Sequence, residues 1–295
     1  MNFIKLYCLF SMLSLTCAAI IGVNMYGLET EYYGFSCDWS KSVEEMVMDA
    51  KNLGFNTIRV PFSLDFVFRD DFKILDNFMD YTKMVKMDII LDCHRLQSKF
   101  QSPKMYNNVY SFSDFLRGWE IILERYKSFK NLKYVDIFNE WQDNDWESLN
   151  HFSTLTVLYL EEIFKDRFTY IIGGWKWGGK LQNIEVDVPF DDRILYSIHK
   201  YHFSNTENYE KEWENDFAGK QNILVGEYGF KNNKFEMQWG ERFINWLHEN
   251  GYKNSVYWCL TSHSPDTGGI YKPDKDGCSI IDDEKINIIN KIINI

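Results

Sequence analysis

The chain has 295 residues and a formal net charge of −11, from 43 acidic and 32 basic side chains. Hydrophobic residues at 45% and charged residues at 25% are ordinary globular usage and exclude a disordered chain. The acidic balance excludes a broad nucleic-acid or anionic-membrane surface, which needs clustered Lys and Arg. Aromatic residues reach 17%, more than core filling obviously requires, and flat apolar substrates are one reason for such an excess.

The chain opens with a short, weakly basic stretch, Met1 to Lys5, then an almost wholly apolar run from Leu6 to Ala19. The small residues of Thr16-Cys17-Ala18-Ala19 suit cleavage, so residues 1–19 read as a secretory signal peptide, too short for a membrane span. The mature domain is then residues 20–295. It is expected to be secreted, soluble, free of stable membrane association and monomeric. Its first strand starts immediately after the expected cleavage point, leaving no spare residues.

Downstream, short β-rich runs alternate with helical patterns. Ile20 to Asn24 is the first strand. Ser42 to Leu53 is the clearest helix: Ser42 caps it with Glu45 three residues on, Val43, Met46, Val47, Ala50 and Leu53 share a face, and Gly54 ends it. Asn56 to Val60 is a buried strand stopped by Pro61. Further strands are expected at Asp88 to Asp92, Tyr134 to Phe138, Tyr170 to Ile172, Ile194 to Ile198, Ile223 to Val225 and Ser255 to Leu260. Amphipathic stretches lie at Phe115 to Tyr126, Leu149 to Phe164, Phe235 to His248 and Glu284 to Ile293. Eight strands alternating with helices imply one parallel sheet closed as a (β/α)₈ TIM barrel. The rival, an open doubly wound sheet, requires a Gly-rich phosphate turn after the first strand, and Gly22-Val23-Asn24-Met25-Tyr26-Gly27 is not one.

In such a barrel the chemistry sits where strands end. Arg59 ends the second strand and His94 follows the third. Asn139 and Glu140 follow the fourth, His199 and Tyr201 close the sixth, Glu227 follows the seventh, and Trp258 lies in the eighth. Two carboxylates across one mouth suggest glycoside hydrolysis, in which a retaining enzyme places an ionised nucleophile about 5–5.5 Å from a protonated acid. Arg59 beside Glu227 would keep it ionised, while a neighbouring charge and aromatic walls would keep Glu140 protonated. Singly, each residue has a plain structural reading: a helix N-terminal charge, an ion pair or a core aromatic. Their joint placement on successive strand ends is harder to dismiss.

The ordered set of motifs resembles glycoside hydrolase family 5, the cellulase family. The segments are Gly22 to Glu29, Leu53 to Ser63, Ile89 to Arg95, Phe138-Asn139-Glu140, Trp177 to Leu181, Tyr196 to Tyr201, Val225 to Gly229, Tyr257 to Leu260 and Ser264 to Ile270. The last of these and Trp177-Gly178-Gly179 are most similar to the bacterial endoglucanase branch. The resemblance implies a retaining endo-β-1,4-glucanase, with Glu140 as acid/base and Glu227 as nucleophile. It implies that Asn139 binds the 2-hydroxyl of the reacting sugar and that Arg59, His199 and Tyr201 orient the nucleophile. His94 then contacts a sugar hydroxyl, and Trp258 lies under the reacting ring. The implied partner is a β-linked polysaccharide or oligosaccharide, and no metal or organic cofactor is implied. Two departures bear on substrate range. Trp141 follows Glu140 where relatives usually carry Pro or a small turn residue, and Lys180 stands where Asn is common. The stretch from Tyr201 to Glu227 is also short, implying a more open cleft.

Other readings remain: another β-glycan such as mannan, xyloglucan, β-1,3-glucan or a glycolipid, or a carbohydrate-binding pseudo-enzyme. A metal-dependent hydrolase built on His94 and His199 is a third, but the chain lacks any His-Glu-x-x-His spacing. Among further aromatics, Trp177 and Trp39 are the better candidates for sugar platforms, whereas His151 and His248 fall in helical patterns as surface or packing residues. Of the cysteines that outlast signal removal, Cys93 and Cys259 alternate with His94 and Trp258 and should turn outward as buried thiols. Cys37 and Cys278 follow the first and eighth strands, neighbours in a closed barrel, and are expected to pair.

Overall fold

Residues rich in Val, Ile, Leu and Tyr, flanked by helix caps and turns, favour strands buried on both faces. The computed structural model, which describes residues 18–204, 208–272, 278 and 280–293, arranges eight of them in this way. Strands β1 (Ile21–Asn24), β2 (Thr57–Ser63), β3 (Asp88–Arg95), β4 (Leu132–Asp136), β5 (Thr169–Gly173), β6 (Ile194–Tyr201), β7 (Ile223–Gly229) and β8 (Ser255–Tyr257) pair in parallel and in sequence order. β8 pairs back onto β1 through Ile21 with Ser255 and Val23 with Tyr257, so the sheet is a closed (β/α)₈ barrel.

The helices are α1 (Val43–Asn52), α2 (Leu64–Phe68), α3 (Lys73–Val85), α4 (Phe112–Tyr126), α5 (Trp146–Phe164), α6 (Tyr209–Phe217), α7 (Lys234–Glu249) and α8 (Asp283–Ile293). α1 begins in the expected capping box, with the Ser42 side chain accepting from Glu45 N–H and the Glu45 side chain accepting from Ser42 N–H. α2, α3 and α6 add to the helices expected. The main apolar core lies between sheet and helices, while Ile20, Ile90, Tyr134, Ile171, Leu224 and Val256 form a separate cluster inside the barrel.

Strand alternation explains what lies above that cluster. On β3, Ile90 belongs to the inner apolar cluster, and Asp92 and His94, two and four residues on, share its face. The inner face thus changes from apolar to ionisable within one strand.

Three local expectations change. β2 runs through Pro61 to Ser63 instead of stopping there. Its pairing to β1 ends at Asn24 with Arg59, so a missing N–H is tolerated where one neighbouring strand has already ended. β8 is shorter than expected and ends at Tyr257, so Trp258 and Cys259 lie beyond it. Alternation therefore does not govern Cys259, which packs with Tyr201 and Trp258 at the mouth rather than under the helices; Cys93 does join the outer core, and both are buried free thiols. Residues 174–193, which link β5 to β6, contain no helix, and no helical pattern is expected there.

Cys37 and Cys278 form the expected disulfide, with Cα atoms 6.0 Å apart. It joins the loop after β1 to the segment between β9 (Tyr271–Lys272) and β10 (Ile280–Ile281), 241 residues away. Closing so long a loop restricts the unfolded chain strongly, so the Cys37→Ser variant should lose about 2–4 kcal/mol of stability. Thermal melts with and without reductant check this: the variant should match the reduced wild type, and an unchanged melting temperature would contradict it.

Candidate active site

The barrel mouth is organised around Arg59, which is wholly buried on β2. Its Nη1 donates to Glu227 Oε1 at 2.7 Å and to Asn24 Oδ1 at 3.0 Å, and its Nε donates to Asp136 Oδ2 at 2.9 Å. Nη2 donates to Asn139 Oδ1 at 2.9 Å and lies 3.1 Å from Asp92 Oδ2. One planar guanidinium thus fixes groups from β1, β3, β4 and β7, which a lysine ammonium has no geometry to do. Burial works against the Arg59 charge, but Asp92, Asp136 and Glu227 more than offset it and hold its pKa above the usual arginine value. Burial pushes the Asp92 and Asp136 carboxyls up to about 7, with Arg59 opposing that rise in both.

The two glutamates behave oppositely. For Glu227, burial favours protonation, but the nearby His199 and Arg59 charges and the Tyr201 hydroxyl outweigh it and hold the carboxyl down at about 2. Tyr201 Oη donates to Glu227 Oε2 at 2.7 Å. Glu140 does not contact Arg59: burial raises its pKa and the Glu227 charge adds to that, against the His199 charge and the 2.9 Å hydrogen bond between Glu140 Oε1 and His199 Nδ1. His199 sits between them, its Nδ1 also 3.7 Å from Glu227 Oε2. Burial would lower the imidazole pKa, but both carboxylates raise it, and the net shift is upward. One carboxylate oxygen of Glu140, one of Glu227 and a His199 ring nitrogen all lie within 4.8 Å of one another. A cation placed there would have to displace the Arg59, Tyr201 and His199 hydrogen bonds that these oxygens already hold.

The remaining expected residues converge on the same mouth. His94 Nδ1 pairs with Asp92 Oδ2 at 2.7 Å and its Nε2 lies 3.2 Å from Asn139 Nδ2. That Nε2 therefore accepts from the amide, and Nδ1 carries the proton. Burial drives the His94 pKa well below 6.5, keeping the ring neutral. Trp258 stacks with His94 at 5.3 Å between centroids and with Tyr26 at 5.6 Å, and its Nε1 donates to Ser264 Oγ at 3.1 Å. A cleft of about 640 Å³ runs past Glu140, Glu227, His94, His199, Tyr201 and Trp258, and it continues to Trp177, Phe203 and Asp266.

All eight expected site residues thus line or support one mouth. Trp177 is in the cleft wall and half-exposed. Trp39 is exposed, but it stands edge-on to Tyr32 and His263 and is not among the cleft-lining residues. Trp141 is buried against Phe138 rather than facing the cleft, and its carbonyl accepts from Trp177 N–H at 2.9 Å. His151 and His248 are exposed on helices, as expected. Asn24, Asp92 and Asp136 were not among the expected site residues. Their signal is a polar residue at an inward position of an otherwise apolar strand.

A barrel whose strand ends carry two carboxylates of opposed acidity, an arginine hub and an aromatic floor defines a glycoside hydrolase. A family model described as cellulase, glycosyl hydrolase family 5, matches residues 23–264, and the chain belongs to that family. It is 27% identical to an endoglucanase of Paenibacillus polymyxa over 87% of this chain and 79% of that protein. It is also 25% identical to the major extracellular endoglucanase of Xanthomonas campestris, over 86% of this chain and 64% of that protein. In fold it is similar to an endocellulase of Pyrococcus horikoshii, with a TM-score of 0.84, 20% identity and coverage of 94% and 93% of the two chains. The catalytic domain of the Xanthomonas endoglucanase superposes with a TM-score of 0.83 at 22% identity, covering 94% and 95%.

Replacing Arg59 by Met leaves three buried carboxyls without their common partner, and should cost about 3–5 kcal/mol. Arg59→Lys should recover less than half of that, because one ammonium cannot reproduce the fork. Chemical denaturation of both variants checks this, and full recovery by Lys would contradict the account of the hub.

Proposed function

We propose that the protein is a secreted, retaining endo-β-1,4-glucanase that cleaves internal bonds of cellulose or a related β-glucan. The observation that carries this reading is the approach of Glu140 and Glu227 to within 4.8 Å, with their acidities shifted in opposite directions. One oxygen of each carboxylate within that distance supports the separation of about 5–5.5 Å between carboxyl groups used in double displacement. Support for the substrate class comes from the endoglucanase relatives, one of them extracellular, and from the similar Pyrococcus horikoshii endocellulase, which has been crystallised with cellotetraose.

In this mechanism the Glu227 carboxylate attacks the anomeric carbon while Glu140 gives its proton to the departing glycosidic oxygen. Glu140, now ionised, takes a proton from water, whose oxygen displaces Glu227 and completes hydrolysis. Arg59 and Tyr201 hold the two Glu227 oxygens, so that the nucleophile neither rotates nor protonates. Asn139, fixed by Arg59 and His94, presents its amide to the sugar in the reacting position, and Trp258 stacks under that ring. Residues 1–19 serve as the secretory signal, and the mature chain from residue 20 is one monomeric catalytic domain. The described residues include no helix long and apolar enough to cross a membrane.

Two variants test the roles. Glu227→Gln should lose ~10³-fold or more of the activity on every substrate. Glu140→Gln should lose hydrolysis of soluble cellulose yet retain the first step on a dinitrophenyl β-cellobioside, whose leaving group needs no proton. Wild-type turnover by Glu227→Gln would overturn the assignment.

The pH dependence has a definite sign. Glu227, held at about 2, is ionised across the working range. Activity should therefore fall on the alkaline side, as pH passes the pKa of Glu140, which burial raises. The wild-type kcat/KM profile should show that alkaline limb on a cello-oligosaccharide and lack it on the dinitrophenyl substrate, and an equal limb on both would assign it to another group.

A further inference from the structure

The link from β5 to β6, which has no helix, carries Trp177, and its backbone is unusual. Lys176 and Trp177 adopt φ of 54° and 59°, a left-handed conformation that residues with a Cβ rarely take, and Gly178 follows at 68°. Such a turn persists only where its surroundings determine it. Trp177 N–H donates to the Trp141 carbonyl at 2.9 Å, next to Glu140 in sequence, and His199 N–H donates to the Gly178 carbonyl at 3.0 Å. A Cβ at Gly178 would lie 3.0 Å from the His199 ring, so this turn packs directly on the residue that contacts Glu140.

A third tether is charged. Lys200 lies on β6 between His199 and Tyr201, so its side chain leaves the strand on the face opposite theirs. It is 2% exposed, and its Nζ donates to the Gly179 carbonyl at 2.9 Å and to Asp216 Oδ2 at 2.5 Å. Asp216, on α6, is also buried; its Oδ1 lies 3.2 Å from Lys180 Nζ, and its backbone carbonyl accepts from Leu181 N–H at 2.8 Å. Two ammonium groups thus share one carboxylate, which Gln182 Nε2 also reaches at 3.5 Å, so Asp216 contacts residues 180–182 and Lys200. If the space behind β6 only had to be filled, an apolar side chain would do so without the cost of burying charge.

The direction of the cleft says what this loop faces. A sugar over Trp258 has Glu227 at its anomeric carbon, and Glu140 meets the glycosidic oxygen. The chain beyond that oxygen departs past Glu140, and Trp177 is on the Glu140 side of the cleft lining, since its N–H is bonded to the carbonyl of Trp141, the residue after Glu140. Trp177 is 51% exposed there, an indole available to the apolar face of a sugar ring.

We propose that Lys180, Asp216 and Lys200 form a positioning clamp that holds the left-handed turn at residues 176–178, so that Trp177 receives the β-glucan units on the leaving-group side of the scissile bond. This rests on the endoglucanase reading above. The clamp acts through Trp177 and touches no reacting atom. Its effect is on where a glucan chain sits in the cleft, and so on which bond is cut.

Cellopentaose labelled at its reducing end tests the clamp, because the ratio of labelled products reports binding register independently of how much enzyme is folded. Trp177→Ala should reduce cleavage that places two sugars on the leaving-group side, relative to cleavage that places one, by about five-fold. Lys200→Met and Asp216→Asn should shift the ratio in the same direction, and Lys200→Met should add nothing to Trp177→Ala in the double variant. Lys180→Asn, at a less buried position, should give a smaller shift of the same sign and stands in if the other two fail to fold. A ratio shifted by Trp177→Ala but unmoved by the clamp variants overturns the clamp. A ratio unmoved by Trp177→Ala overturns the platform it is meant to hold. Wild-type protein that releases no product from cellopentaose contradicts the endoglucanase reading itself and removes the clamp's substrate with it.

Discussion

Arg59 is a full positive charge held where no water reaches it, and the rest of the mouth follows from the need to satisfy it. Taking a guanidinium out of water is costly unless its donors are all met in good geometry. Here Glu227, Asn24, Asp136 and Asn139 accept its hydrogen bonds and Asp92 lies against it. The consequences spread outward from there. Glu227 is kept ionised and oriented, Asp92 is placed to fix the His94 tautomer, and the Asn139 amide is turned toward both His94 and the cleft. Glu140 lies outside this shell, hydrogen-bonded to His199, and burial shifts its pKa in the opposite direction, upward. The two glutamates thus differ in their contacts: Glu227 meets the Arg59 guanidinium and the Tyr201 hydroxyl, whereas Glu140 meets His199.

The barrel makes this arrangement affordable. Its lower interior is filled by Ile20, Ile90, Tyr134, Ile171, Leu224 and Val256, and the ionisable layer begins one alternation step higher. Helices and the long-range disulfide carry stability on the outside, so the mouth is free to be polar and constrained. The link between β5 and β6 has no helix and carries the turn that brings Trp177 to the cleft wall.

Much of this was legible in the residues. Parallel strands buried on both faces read as short apolar runs, and the ionisable groups directly after them marked the mouth. Arg59, His94, Asn139, Glu140, His199, Tyr201, Glu227 and Trp258 all reached it. The Cys37–Cys278 pair followed from adjacency in a closed barrel. Less legible was anything that depends on where a strand stops. Pro61 reads as a terminator because it lacks an N–H, yet β2 continues where β1 no longer needs one. Cys259 reads as outward by alternation, yet β8 has ended two residues earlier. Asp92 and Asp136 were hidden because each is one carboxylate in an apolar run, and only the closed barrel brings both to Arg59. Trp141 follows the acid in sequence but turns into the core, where its backbone, not its ring, serves the cleft.

The account's central claim is that Glu227 is a nucleophile and not a base for water, which requires two inversions and net retention at the anomeric carbon. Proton NMR of a soluble β-glucan oligosaccharide, recorded in the first minutes of hydrolysis before mutarotation, reads this directly. The account predicts that the β anomer appears first and the α anomer grows in later. The α anomer appearing first would contradict it.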